Sequence, residues 1–344
     1  MQPSITLVPY SPDRKSEIVD LLNLSLGHKP SLNRDAAYWT WKHEENPFGR
    51  SILLLAESDG RIVGLRAFLR WRLRINGKTI PVAKPVDSVT HPDFQRQGVF
   101  SRLTMAACEK AEQEGIAFLF NTPNKNSLPG YLKLGWKSVG KLPLSVKLLR
   151  PFSALKHFVQ SRARRDDVPE SSAFFASSPT PAEAFFQDET RVQNLMDSAT
   201  AESVRLQTDR SLPFLRWRYT RHPHYHYFVE LSESAGRIDG ALFYRTNVRR
   251  GMREILIDDA LVDGDAESTF NTLLENLKSR VCADYIVLHA PVDLTMQRPV
   301  RSFGFRRVAG RGIHLVARSL TNGCTVDPFS VQHWSLCLGD LEGL

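Results

Sequence analysis

Apolar positions in the first half of the chain recur at two spacings. Ser51 to Glu57 and Ile62 to Arg74 read as strands joined by a hairpin across Ser58-Asp59-Gly60-Arg61. Asn76-Gly77 is a strong hairpin turn into the β-branched run Ile80 to Val89. From Phe100 the apolar residues Phe100, Leu103, Ala107 and Ala111 fall on one helical face. Phe118 to Asn121 reads as the next strand, Ser127 to Leu134 as a short helix, and Trp136 to Leu149 as the final strands. Ahead of these lie a first strand, Ile5 to Pro9, an amphipathic helix, Ser16 to Leu26, and a second helix, Asn33 to Glu44, with Trp39 and Trp41. The pattern is that of an α/β (α+β) unit, a central sheet flanked by helices.

The same pattern returns farther along. Trp39-Thr40-Trp41-Lys42 with Asn46-Pro47 is echoed by Leu215-Arg216-Trp217-Arg218 with His222-Pro223. Gly60-Arg61-Ile62-Val63-Gly64 is echoed by Gly236-Arg237-Ile238-Asp239-Gly240. Both pairs share one offset, since 217 minus 41 and 236 minus 60 are both 176. A third match, Leu134-Gly135-Trp136 with Phe303-Gly304-Phe305, follows at 169. We read a tandem duplication: one unit over residues 1–150, a linker over 151–181, and a second unit over 182–344. In the second unit Ile255 to Val262 is the core strand, Phe270, Leu273, Leu274, Leu277 and Val281 the helical stripe, and Tyr285 to Leu288 the following strand.

Composition narrows the function. The 344 residues suffice for two domains, and no stretch reaches the roughly 20 apolar residues of a membrane span. Met1 to Tyr10 lacks the basic start and apolar core of a signal peptide. Four scattered cysteines without metal spacing fit reduced thiols and a cytoplasmic protein. Part of the net charge of +8 sits in the linker, at Lys156, Arg162, Arg164 and Arg165. Basic residues interleaved with aromatics are not seen elsewhere, so nucleic acid is not expected as a partner. His222, His224 and His226 alternate at strand spacing, but no nearby carboxylate or cysteine completes a site, and no metal is expected. Oligomeric state is left open.

The chemistry points to Gln95-Arg96-Gln97-Gly98-Val99-Phe100, between a strand-like and a helix-like run. A glycine loop opening a helix converges backbone N–H groups with the positive end of the helix dipole, which makes a ready pyrophosphate site. Downstream, Asn124, Ser127, Tyr131 and Gly135-Trp136 follow the spacing N-x-x-S-x-x-x-Y-x-x-x-G-aromatic. Together the segments resemble the GNAT (Gcn5-related) acyl-CoA N-acyltransferases. The first departs from the family's R/Q-x-x-G-x-G/A where Phe100 replaces a small residue, and its bulk could serve to pack the helix start.

The resemblance implies two GNAT-like units, each a mixed, mostly antiparallel sheet flanked by helices. It implies acetyl-CoA as co-substrate, held by Gln95, Arg96, Gln97, Gly98, Val99, Phe100 and Ser101 and by Asn124 and Ser127. Strands ending near Val89 and Asn121 would splay, with the pantetheine arm pairing along Ser88, Val89 and Thr90. Tyr131 stands where the family places the acid that protonates the departing thiolate. Asp87, two residues before Val89, is either the base or a structural carboxylate. The acceptor would be an amine on a small molecule, an amino sugar or an aminoacyl group. In the second half, Asp263, Asp265 and Glu267 occupy the loop position and would repel a pyrophosphate, while Asp293 and Val300 stand in for Asn124 and Tyr131. That half is expected to be a degenerate support. Three other readings remain: a Fem-type aminoacyl transferase, which would not need the Gln95–Phe100 loop, a non-catalytic acyl-CoA sensor, and a nucleic-acid-binding protein, suggested only by the net charge.

Overall fold

The computed structural model describes residues 4–27, 33–150, 174–200, 204–263, 265–289, 303–321 and 326–341. Most of the expected linker, together with Asp293 and Val300, therefore lies outside the described residues. Contacts divide the chain into two compact units that interleave in sequence. Unit 1 takes residues 1–140, 221–224 and 314–333; unit 2 takes 141–220, 225–313 and 334–344.

Unit 1 begins with β1 (Thr6–Pro9), α1 (Lys15–Leu26) and α2 (Ala36–Trp39), which runs on into a π-helical turn, Thr40–Glu44. Then come β2 (Ile52–Ser58), β3 (Arg61–Ile75), β4 (Lys78–Thr90), α3 (Val99–Gln113), β5 (Phe118–Asn121) and α4 (Leu128–Lys133). β1 to β4 form an antiparallel meander. Both hairpins turn on paired left-handed residues, Asp59 with Gly60 and Asn76 with Gly77, which matches the twist of the flanking strands. β5 runs parallel to β4, with α3 as the crossover. One face of the sheet packs Ile18, Leu21, Leu22 and Trp39 against Leu55, Leu65 and Ala67. Another cluster gathers Ala107 and Ala111 of α3 with Phe68, Leu119, Tyr131 and Trp136.

Unit 2 repeats the order. After α5 (Glu189–Thr200), β7 (Leu206–Thr208) and α6 (Leu212–Thr220) come β8 (Phe228–Ser234), β9 (Arg237–Arg249), β10 (Met252–Val262), α7 (Ala266–Arg280) and β11 (Tyr285–Leu288). β8 to β10 are antiparallel, and β11 runs parallel to β10. A short strand, β13 (Trp334–Ser335), pairs with β7. Each unit is thus a mixed, mostly antiparallel sheet flanked by helices.

A glycine marks the likeness of the two units at atomic detail. A Cβ added at Gly64 would meet Val99 Cγ1 at 2.7 Å and Leu103 Cδ1 at 3.1 Å. One added at Gly240 would meet Thr269 Cγ2 at 2.6 Å and Leu273 Cδ1 at 3.0 Å. In both units the crossover helix lies so close to the sheet that the facing position takes no side chain.

The units differ from the sequence reading in their last strands. The sequence pattern places Trp136 to Leu149 as the closing strands of the first half. Instead β6 (Lys137–Leu148) leaves unit 1 after Gly140, and its Ser145–Leu148 stretch pairs antiparallel with β11 in unit 2. Within unit 1, β5 pairs with Val316–Ser319 of β12 (Arg306–Ser319). Burial explains the exchange: Leu144 and Val146 pack on Leu256, Tyr285 and Val287, whereas Val316 completes the cluster around Leu119, Tyr131 and Trp136.

Candidate functional site

In unit 1, β3 and β4 fall out of step at one place. Leu65 faces Val89 and Ala67 faces Val86, so Asp87 and Ser88 together oppose the single residue Arg66. This is a β-bulge, with Asp87 in the left-handed region at φ 40°. A bulge bends its strand and sharpens its twist. β4 and β5 pair in register only at Ala83 and Leu119, and β4 continues beyond that pairing to Thr90. Among the described residues β5 makes no pairing with Ser88, Val89 or Thr90, which leaves that stretch of the β4 edge as an opening where an extended ligand can add to the sheet.

The loop between β4 and α3 lies at the end of that opening. His91 starts a helical turn, Pro92–Phe94, by accepting from the Asp93 N–H at 3.3 Å, and its Nε2 lies 2.7 Å from Arg61 Nη2. Gln97 Nε2 donates to the Asp93 carbonyl at 3.0 Å. These bonds fix a loop whose residues Gln95 to Gly98 are all exposed. Arg96 and Gly98 take φ values of 62° and 77°, which turns the chain sharply into α3. No side chain caps α3, so its first N–H groups remain open, and a Cβ at Gly98 would meet nothing within 4 Å. The cradle therefore has the donors, the dipole and the space for a phosphate group. Behind it Val99 is buried, while Ser101 faces solvent.

Phe100 has a visible task. Its ring stands edge-on to Tyr131, with centroids 5.8 Å apart, and touches the position where Gly130 has no side chain. Tyr131 is buried in the α3 cluster, packs edge-on to Trp136 at 5.1 Å, and makes no hydrogen bond to a described residue through its hydroxyl. Asn124 is partly committed elsewhere: its Oδ1 accepts the N–H groups of Asn126 and Ser127, each at 2.9 Å, and so organises the start of α4. Ser127 Oγ lies 3.2 Å from the same oxygen. The motif's spacing is thus explained first by the α4 turn that carries Tyr131.

Asp87 is held from the π-helical turn. Lys42 Nζ lies 2.5 Å from its Oδ2, and His43 Nε2 lies 3.1 Å from the same atom. The other ring nitrogen of His43 meets Ser51 Oγ at 2.9 Å. Burial by itself would raise the Asp87 pKa, but the Lys42 ammonium and the His43 hydrogen bond hold it well below the usual carboxylate range. A carboxylate so stabilised is ionised at neutral pH and a weak proton acceptor. It borders a cleft lined by Val19, Arg34, Asp35, Tyr38 and Trp39.

Two groups escaped the sequence reading. Arg66 is 1 % exposed, and its Nη1 donates to Ser88 Oγ, while Nε and Nη2 have no partner among the described residues. Asn121, at the end of β5, is buried with Oδ1 unpartnered among the described residues. Orphaned buried donors and acceptors beside a strand opening are what a polar ligand would satisfy. An arginine within a strand pattern carries no signal of burial; the bulge opposite it, which does the burying, is visible only in the register.

The expected histidine row is divided. His222 packs on Trp41 at 4.3 Å, His224 Nε2 meets Asp35 Oδ1 at 3.1 Å, and His226 belongs to unit 2. In unit 2 the loop ahead of α7 serves the helix: Asp265 Oδ1 accepts the Ser268 N–H at 3.2 Å, and Asp263 pairs with Arg237 at 3.1 Å.

Residues 8–139 match the family model of the GNAT acetyltransferase domain. No curated protein sequence matches the chain. Among solved structures it is similar to a GCN5-related N-acetyltransferase from Anabaena variabilis, at 13% identity over 92% of this chain and 73% of that one, with a TM-score of 0.65. A probable N-acyltransferase from Enterococcus faecalis gives 13% identity, 92% and 73% coverage, and a TM-score of 0.61. The N-myristoyltransferase of Saccharomyces cerevisiae, solved with bound myristoyl-CoA, gives 11%, 92% and 83%, and 0.56. At these identities the likeness is one of fold.

Proposed function

Residues 8–139 belong to the GNAT acetyltransferase family, and from that premise we propose that the chain is an acyl-CoA-dependent acyltransferase whose first unit delivers an acyl group, in the simplest case acetyl, to an amine. The observation that carries this is the pairing of an uncapped α3 start at Gly98 with a β4 edge at Ser88–Thr90 that has no β5 partner among the described residues, beside the bulge at Asp87–Ser88. The α3 N–H groups receive the pyrophosphate. The Ser88–Thr90 edge aligns the pantetheine arm, and the Val89 N–H polarises the thioester carbonyl. Alignment of thioester and amine supplies most of the rate, and well-oriented reactions gain about 7–11 kcal/mol in this way. Tyr131 gives its proton to the departing thiolate.

We assign Asp87 to holding the bulge rather than to taking a proton, because its ion pair makes it a poor base. The acceptor amine then enters already neutral or loses its proton to water. Unit 2 supports unit 1 without a coenzyme A site, since Asp263, Asp265 and Glu267 crowd its helix start. Free Cys108, Cys282 and Cys337 are in keeping with work in a reducing compartment. No helix among the described residues is long and apolar enough to cross a membrane. Incubation of the purified chain with acetyl-CoA and a panel of amines, amino sugars and aminoacyl compounds tests the proposal. Free thiol and a product heavier by one acetyl group support it; no thiol above the hydrolysis background with any acceptor contradicts it.

A further inference from the structure

Arg66 projects from the middle of β3 into the α3 face of unit 1 and is 1 % exposed. Its guanidinium carbon lies 5.1 Å from each of three ring centroids, those of Phe68, Phe100 and Tyr131. Nη1 is tied to Ser88 Oγ on the bulge. Nε and Nη2 are buried and unpartnered, and among the described residues no carboxylate pairs with them. Those two nitrogens share one edge of the planar group. Their hydrogens point the same way, as the parallel donors that grip a carboxylate side-on. A cation sealed among aromatic rings with that edge empty is unfavourable by itself, and an anion that fills the edge repays its burial.

Given the acyl-CoA reading above, on which this step rests, the anion has to come with the donor. The pyrophosphate belongs at Gly98, at the start of α3. The departing thiolate is a single atom that forms only during reaction, and it would leave half the fork empty. A carboxylate carried on the acyl group has the matching planar shape and is present from the start.

We propose that Arg66 selects a carboxyl-terminated acyl group, so that the preferred donor is the coenzyme A thioester of a dicarboxylic acid rather than acetyl-CoA. Phe100 stands on the first turn of α3, half-buried, with its ring centroid 5.1 Å from the guanidinium carbon, and would border the bound carboxylate. The neutral rings of Phe68, Phe100 and Tyr131 keep water away from the pair, which strengthens it.

Succinyl-CoA and acetyl-CoA serve as probes, with affinity measured by calorimetry on the full chain and transfer followed as free thiol. The wild-type chain is expected to bind succinyl-CoA at least about tenfold more tightly than acetyl-CoA, the scale of one well-made charge-assisted pair. Arg66→Gln is expected to bring the ratio close to one, and Arg66→Lys, which keeps the charge but loses the fork, to an intermediate value. Because the ratio is taken within one variant, a partly unfolded preparation does not alter it. Equal affinities in the wild type, or a preference that survives in Arg66→Gln, would overturn the selection of a carboxylate and leave the acyl-CoA reading standing. Slower transfer in Arg66→Gln with an unchanged donor ratio would also overturn it, and would assign Arg66 to the thiolate. Failure of both thioesters to bind would overturn the acyl-CoA reading, and this inference with it.

Discussion

His43 Nε2 lies 3.1 Å from Asp87 Oδ2 and ties the π-helical turn to the bulge in β4. Unit 2 makes the same tie with different residues. There the Tyr219 hydroxyl donates to Asp259 Oδ2 at 3.1 Å, and Asp259 sits beside the register shift between Ile257 and Asp259 in β10. His43 and Tyr219 each stand two residues after a tryptophan of the repeat, Trp41 and Trp217. In both units a cation completes the link: Lys42 on Asp87, and Arg210 on Asp259 at 2.7 Å. A carboxylate that recurs in unit 2, where Asp265 caps the helix start, is explained by what the two units share, a bulge anchored to a helix.

Removing either anchor is therefore expected to cost stability. Asp87→Asn removes the carboxylate that faces the buried Lys42 ammonium, and Asp259→Asn removes one of the two carboxylates that hold Arg210, the other being Asp340 at 3.1 Å. Each is expected to lower the unfolding free energy by about 3–5 kcal/mol, the usual result of breaking one side of a buried pair. Urea unfolding followed by circular dichroism measures this. If Asp87→Asn left stability intact and instead shifted the pH profile of transfer, Asp87 would be the base.

Tyr131→Phe separates chemistry from packing. The ring remains against Phe100, Trp136 and Arg66, so coenzyme A affinity is expected to stay near the wild-type value. Turnover is expected to fall by about 10²-fold or more, as for a lost general acid. Unchanged turnover would mean that water protonates the thiolate.

The like surroundings of Gly64 and Gly240 predict matched costs at the two glycines. An alanine at Gly64 puts a methyl 2.7 Å from Val99 Cγ1, and one at Gly240 puts it 2.6 Å from Thr269 Cγ2. Both neighbours are β-branched and have little rotamer freedom to yield. Each substitution is expected to destabilise by about 1–3 kcal/mol, measured as the shift in urea midpoint at constant slope. A neutral outcome at one site alone would show that the two helices do not seat alike.

His289 supplies a pH dependence within unit 2. It is buried just after β11 with Nδ1 unpartnered among the described residues, and burial lowers its pKa to about 4 against a weaker opposing bond to the Pro143 backbone. The unfolded chain, with a histidine pKa of about 6.5, takes up the proton first. The stability tied to neutral His289 is thus complete above about pH 6.5 and declines as the pH falls toward about 4. His289→Asn is expected to flatten that stretch of the stability curve; an unaltered slope would assign the decline to other groups.

Much of the scaffold is legible before any coordinates. Asp59-Gly60 and Asn76-Gly77 declare their hairpins because few residues tolerate two left-handed positions in succession. The α3 stripe is plain because Leu103, Ala107 and Ala111 must all face the sheet. What stays hidden depends on partners distant in sequence. The alternation in β6 marks a strand with one buried face and does not say which sheet edge receives it, so its pairing with β11 could not be read. Arg66 and Lys42 have the composition of surface residues, and only the bulge and the π-helical turn bury them. Asn124 was legible as part of a motif, while its work at the start of α4 needed the turn itself.

The central claim is a single coenzyme A site, built on the loop at Gly98. Calorimetric titration of the whole chain with coenzyme A, beside Gly98→Asp, tests it most directly. The substitution sets a carboxylate against the phosphates at a φ of 77° that suits glycine. Circular dichroism before titration confirms that the variant is folded. The account predicts one coenzyme A per wild-type chain and none for folded Gly98→Asp. Two equivalent sites per chain, or undiminished binding by Gly98→Asp, would contradict it.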